Sequence, residues 1–235
     1  MTKIIYTSQH NVDNIDEVFN PCNAVKNDWW QNLSPFITNS KSLKEWFAVV
    51  TKNKHWSPSD PNTIKTCPGL ADLFKSSFIW KMPCDLLLKI SDDGNAWQTP
   101  QTDLLKLDSH SDFQYTNRLG QTIYKQKINI KFETPFLIHA DRVLKYIPSA
   151  AAYHNSDIDY DVMPGVVTLS NNVSSPLNLN LMFDRKENIY EFKKGQPIAY
   201  FTFMSDKLPK LVYNPDSKCF TKNRTKFFGY YKYEI

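Results

Sequence analysis

The stretch Ile189-Tyr-Glu-Phe-Lys-Lys-Gly-Gln-Pro-Ile-Ala-Tyr-Phe-Thr-Phe203 reads as a strand, a tight turn at Lys194-Gly195, and a second strand. Glycine accepts φ > 0 because it has no Cβ to clash. Pro197 has no N–H to give to a ladder, so it suits the first position of a strand or an edge. Working outward, residues 78–82, 85–91, 123–132, 136–138, 143–147, 162–169 and 177–183 read as further short apolar or alternating runs. Turn residues separate them, and Asp92-Asp93-Gly94-Asn95 ahead of Ala96-Trp97 predicts a hairpin. Thr134-Pro135 predicts a break between two of these strands, and residues 3–7 predict one more near the start. Short strands at such spacing imply two packed sheets or a barrel. The expected fold is therefore mainly β: a sandwich or a β-clip or jelly-roll-like domain over residues 68–205.

Two segments flank that domain. Residues 1–67 read as an arm with one or two short helices. Ser42 with Glu45 has capping-box spacing, and Leu43, Trp46, Phe47 and Val50 share one helical face, so a helix is expected over residues 42–51. Pro68 in a first turn predicts a second helix over residues 68–75. Residues 206–235 form a tail in which lysines and Arg224 alternate with aromatics. Trp29 and Trp30 in the arm, and Lys222, Arg224, Phe227, Phe228, Tyr230 and Tyr231 in the tail, are the candidate interaction residues. Large aromatics anchor interfaces, so protein partners or self-association are expected. Interleaved bases and rings also suit a single-stranded nucleic acid, which is the alternative for the tail.

Composition limits the function classes. The chain has 235 residues, 41% of them hydrophobic and 14% aromatic, enough for a substantial core. Its net charge of +4 is mild and the lysines outside the tail are scattered, unlike the clustered bases of a nucleic-acid module. The four cysteines, Cys22, Cys67, Cys84 and Cys219, make no close pair, which excludes the usual zinc spacings and predicts reduced thiols. No stretch approaches the ~20 apolar residues that span a bilayer. The first residues lack the pattern of a secretory leader, so the expected setting is a host cytoplasm or a virion.

Three constellations hold residue types that do chemistry. His139-Ala-Asp141 has the spacing of two ligands in a non-haem iron triad, and His154 is the one histidine left to complete it. Asp157, Asp159 and Asp161 alternate, which would place three carboxylates on one side of a strand, a arrangement suited to Ca²⁺ or Mg²⁺ or to a charged edge. Asp108, His110 and Asp112 alternate in the same way within a polar loop. No P-loop, dinucleotide fingerprint or His-Glu-x-x-His pattern is present.

Four stretches, taken in order, resemble an uncharacterised family of tailed, especially marine, bacteriophages that also occurs in some bacterial genomes. They are Asn27-Asp-Trp-Trp-Gln-Asn-Leu33; Thr63-Ile-Lys-Thr-Cys-Pro-Gly-Leu-Ala-Asp72 leading to Trp80-Lys-Met-Pro-Cys-Asp85; Lys131-Phe-Glu-Thr-Pro-Phe136; and Lys194-Gly-Gln-Pro197. The resemblance spans residues 20–205 and implies a phage-like origin. Gly195-Gln-Pro-Ile-Ala-Tyr200, with Gly165-Val-Val167 upstream, is more distantly similar to the β-clip core of dUTP pyrophosphatases. The catalytic aspartate and base-stacking tyrosine of those enzymes would fall at Thr168 and Asn171, so the resemblance implies their fold without their activity. The expected function is a phage-type structural or interaction protein, oligomeric, needing no cofactor. The alternative is a small-molecule enzyme dependent on a divalent metal or a nucleotide, using His139, Asp141 and His154.

Overall fold

Side-chain alternation sets the sheets. In Leu86-Leu-Leu-Lys-Ile90, positions 86, 88 and 90 are buried and 87 and 89 exposed, the signature of a strand with one face on a core. The computed structural model describes residues 1–8, 14–25, 67–110, 126–154, 159–171 and 174–215. Strand accounts for 56% of these and helix for 10%, so the protein is mainly β and sandwich-like. The expected helix over residues 42–51 lies outside the described residues. The one at Pro68 is present as α1 (Pro68–Ser76), with proline in its first turn. Single 3₁₀ turns occur at Ile15–Glu17 and Cys22–Ala24.

Among the described residues, fourteen strands form three sheets. The first has six: β1 (Lys3–Ser8), β6 (Lys106–His110), β7 (Lys127–Ala140), β9 (Asp161–Val162), β11 (Ser175–Asp184) and β14 (Lys210–Tyr213), in the order β14-β1-β7-β11-β9 with β6 also on β7. The second has five, β10-β8-β13-β3-β2, from β10 (Val167–Leu169), β8 (Leu144–Ala150), β13 (Pro197–Phe203), β3 (Ser77–Lys81) and β2 (Phe19–Pro21). The third is β12 (Asn188–Phe192), β4 (Leu86–Ile90) and β5 (Ala96–Thr99). One apolar core serves all three: Ile130, Phe132, Leu181 and Phe183 come from the first, Trp80, Tyr146 and Phe201 from the second, Leu88, Tyr190 and Phe192 from the third. Phe132 meets Trp80 across the sheets at 6.4 Å and Phe192 edge-on at 5.8 Å.

The stretch 189–203 holds two strands that do not pair with each other. β12 pairs with β4 and β13 with β3, so the chain crosses from one sheet to another at Gly195. The segment from β3 to β4 makes the same crossing in the opposite direction, and the two corners are bonded together. Met82 N–H donates to Gln196 O at 2.9 Å, Gly195 N–H to Met82 O at 2.8 Å, and Lys194 N–H to the Asp85 carboxylate at 2.7 Å. Gln196 N–H closes the turn on Lys193 O at 3.0 Å, and Gly195 has φ +79°, as the third position of a type II turn requires.

Several expectations are corrected. Thr134-Pro135 does not end a strand: β7 runs unbroken for 14 residues, with a bulge opposite Leu177. Pro135 sits where β6, paired as far as Glu133, gives way to β1, paired from Phe136, so its missing N–H is not needed by either. The Thr134 hydroxyl donates to the buried Leu177 carbonyl at 2.7 Å, which satisfies the acceptor that the bulge leaves over. Residues 162–169 are not one strand. β9 and β10 lie in different sheets, divided by Pro164-Gly165. The polar run at Asp108 is strand β6, not a loop. The sheets also reach beyond residues 68–205, taking in β1 and β2 on one side and β14 on the other.

Gly195→Ala should lower stability by about 1–2 kcal/mol, because a Cβ there meets no atom within 4 Å but must adopt positive φ. Gly165→Ala, where φ is ordinary and space is open, should be near neutral; paired urea denaturation curves test the contrast. Thr134→Val should lower stability by about 1–3 kcal/mol by stranding the Leu177 carbonyl, measured in the same way.

Candidate functional site

The register of β7 decides where the candidate triad goes. Ile138 and Ala140 belong to the core, so His139 between them faces the outer side of the six-stranded sheet, across from Ile5 of β1. It is buried there, and burial holds its pKa below the ordinary histidine value. Asp141 lies just beyond the strand and closes the ladder. Its Oδ1 accepts from Lys3 N–H at 3.0 Å, and its own N–H donates to Lys3 O at 3.1 Å.

His154 lies on the far side of the molecule. Tyr200 of β13 stands between the core residues Ala199 and Phe201, and so faces the outer side of the five-stranded sheet. His154 Nδ1 is 2.8 Å from the Tyr200 hydroxyl, and its ring sits edge-on to Phe74 of α1 at 5.3 Å. Helix α1 and the 3₁₀ turn at Cys22–Ala24 cover this patch, where Cys22, Ile79, Ala151 and Tyr200 form a second small apolar cluster with Leu73 and Phe74. Burial lowers the His154 pKa, partly opposed by a hydrogen bond to the Val25 backbone. Burial also pushes the Cys22 thiol up to about 12 and the Tyr200 hydroxyl above its usual range. The two histidines thus stand on outer faces of opposite sheets with the core between them. Among the described residues, no three of His, Cys, Asp and Glu gather closely enough to hold a metal.

The carboxylate runs are likewise dispersed. Asp161 is in β9 and pairs with Lys127 at 3.1 Å, while the same ammonium reaches Asp184 at 2.8 Å. The intervening Tyr160 turns inward, donating its hydroxyl to Ile198 O at 3.1 Å. Asp159 is exposed before the strand begins, and Asp157 lies outside the described residues. Asp108 of β6 pairs with Lys131 on the ladder, and Asp112 and the His110 side chain are outside the described residues. So are Trp29, Trp30, Lys222, Arg224, Phe227, Phe228, Tyr230, Tyr231 and Cys219. Cys22, Cys67 and Cys84 are unbridged. No helix among the described residues is long and apolar enough to cross a membrane.

Two sheet faces show large apolar side chains to solvent. On the outer side of the five-stranded sheet, Val143, Ile147, Val166 and Met204 are 38–67% exposed. Their neighbourhood follows from pairing: Ile147 lies opposite Thr202, Lys145 opposite Thr168, and Met204 N–H donates to Lys145 O at 2.9 Å. The outer face of the three-stranded sheet shows Leu87, Trp97 and Ile189, but here both charge signs are interleaved, with Lys89 on Glu187 at 3.5 Å and Lys193 on Glu191. Such mixing marks a solvated face, and around Ile147 too the exposed apolar side chains alternate with Lys145, Thr168 and Thr202. The signal for these exposed groups lies in Val-Leu-Lys-Tyr-Ile, which is apolar at 143 and 147 as well as at the inward positions 144 and 146.

A scan against protein-family models finds no match, and neither does a search of curated proteins.

Both described histidines have pKa values lowered by folding, so the folded state binds fewer protons than the unfolded one. Stability should be complete above about pH 6.5, the unfolded histidine value, and should fall as pH drops below it. His154→Gln keeps a polar side chain beside Tyr200 but cannot titrate. Thermal melts from pH 7.5 to 5 should show a shallower loss in this variant.

Proposed function

We propose that the chain is a structural or interaction protein, of the phage type its motifs resemble, with no catalytic step of its own, and that it associates with copies of itself. The observation that carries this reading is that, among the described residues, the fold occupies Asp141, His154 and Asp161. Asp141 holds the Lys3 backbone, His154 holds the Tyr200 hydroxyl, and Asp161 shares Lys127 with Asp184. His139 is buried on the six-stranded sheet, whereas His154 lies against Tyr200 of the five-stranded one. General acid–base chemistry needs such groups facing one substrate, and these face different sides.

What the body offers instead is surface. Single exposed apolar residues are ordinary, but Val143, Ile147, Val166 and Met204 all lie in or beside β8, β10 and β13, towards one end of the five-stranded sheet. A second copy is the favoured occupant because a twofold contact uses the same apolar groups on both partners. The aromatic arm and tail, with Trp29, Trp30, Phe227, Phe228, Tyr230 and Tyr231, supply further anchors in this reading.

Light scattering coupled to size exclusion should show a concentration-dependent oligomer, and Ile147→Glu should shift it toward the monomer with unchanged circular dichroism. A strict monomer at all concentrations would overturn the reading. So would stoichiometric iron or manganese in the purified protein that disappears in His139→Ala.

A further inference from the structure

Helix α1 and the turn at Cys22–Ala24 meet the five-stranded sheet at a cluster of rings. Phe74 is the contact from α1, its ring 6.2 Å from Tyr153, 5.3 Å from His154 and 6.2 Å from Tyr200. Leu70 is the one fully buried residue of the helix, so its hold on the sheet is light. The polar atoms beneath Phe74 form a chain. The Tyr153 backbone bonds to the Tyr200 hydroxyl in the sense that favours a phenolate, so its N–H donates. The Val25 backbone bonds to His154 in the sense that favours a cation, so its carbonyl accepts. A neutral imidazole has one N–H to give. With that N–H spent on Val25, the Nδ1 that faces Tyr200 at 2.8 Å is the acceptor and the hydroxyl is the donor.

We propose that His154 is an acid-operated latch: protonating it releases α1 and the Cys22–Ala24 turn from the five-stranded sheet and opens the apolar patch of Cys22, Ile79, Ala151 and Tyr200 to solvent. A proton added to Nδ1 meets a hydroxyl that already points its hydrogen at the ring. That hydrogen must then turn towards the patch, where the Cys22 sulfur is a weak acceptor. Tyr200 is 1% exposed, so water does not take the hydrogen while the cover is shut.

The surroundings give the cation no counter-ion. The titratable groups around the pair are Tyr200 from β13, Tyr153 from the loop of His154 itself and Cys22 from the turn, while α1 presents Phe74 and β3 presents Ile79. Phenols and thiols are neutral near pH 6, and burial moves the Cys22 thiol further away, to about 12. The charged residues of α1, Asp72 and Lys75, are exposed. Lifting the cover lets water solvate both the cation and the hydroxyl. The closed form thus holds the His154 proton more weakly than the open one, in keeping with its lowered pKa. Closure is complete above about pH 6.5 and is lost as pH falls below it.

The test is hydrogen–deuterium exchange read by mass spectrometry on the full chain at pH 7.5, 6.5 and 5.5, with each rate divided by the intrinsic rate at that pH. Peptides covering residues 22–25 and 68–76 should lose protection by up to tenfold per pH unit below about 6.5, while β7 and β11 keep theirs. His154→Gln should flatten this dependence. His139→Gln should leave it unchanged, because His139 lies on the six-stranded sheet. Constant protection of both segments in the wild-type chain down to pH 5.5 would overturn the proposal, as would a loss shared equally by β7 and β11. Both of those outcomes are read without any variant, so they hold even where a substitution prevents folding. A dependence that persists in folded His154→Gln would overturn it too.

Discussion

The paired corners at Met82 and Gly195 join the five-stranded and three-stranded sheets. Between them, hydrogen bonds from Met82 to Gln196, from Gly195 to Met82 and from Lys194 to Asp85 carry a two-stranded ribbon out of the five-stranded sheet and into the three-stranded one. On one side of the bend the ribbon supplies Trp80 and Phe201 to the core, and on the other Leu88 and Phe192. Both sheets can therefore press on Phe132 and Phe183 of the six-stranded sheet only because the ribbon bends without losing its bonding. The turn is held from outside as well, by Lys194 on Glu17 at 3.2 Å.

A sandwich built in this way has outer surfaces that its core holds apart. Residues that alternate along a strand are sorted to one side or the other, and a core of close-packed aromatic rings separates them. This sorting places His139 and His154 on different surfaces despite their closeness in sequence. The outer face of the five-stranded sheet is finished differently at its two ends. Helix α1 shields the end near Tyr200, while the end near Ile147 keeps its apolar groups in contact with water.

Much of the fold was legible because its signals are local. The Asp92–Asn95 turn forms as expected, with Gly94 at φ +83° and Ile90 paired with Ala96. Proline in the first turn located α1, and period-two burial located β4, β8 and β12. What escaped is non-local. Pro135 looks like a strand breaker until two different partners are seen to share one edge of β7 and meet at that point. β6 looks like a loop because its outward side chains are polar, and β14 looks like tail because its partner is some two hundred residues away. The candidate triad failed for the same reason: spacing along a strand reports which face a residue takes, but not which residues of other strands share that face.

One pairing has a consequence in time. β1 rests on β7, whose last residue is Ala140, but its other edge is covered by β14, in a parallel ladder running from Lys3↔Lys210 to Tyr6↔Tyr213. A ribosome adding ~5–20 residues per second takes roughly 4–15 s to travel from the one to the other. For that interval the nascent sheet presents an open row of amides and carbonyls to its neighbours on a polysome. The parallel ladder closes that window, and the rate of translation past Ala140 sets how long a growing chain is exposed to mispairing.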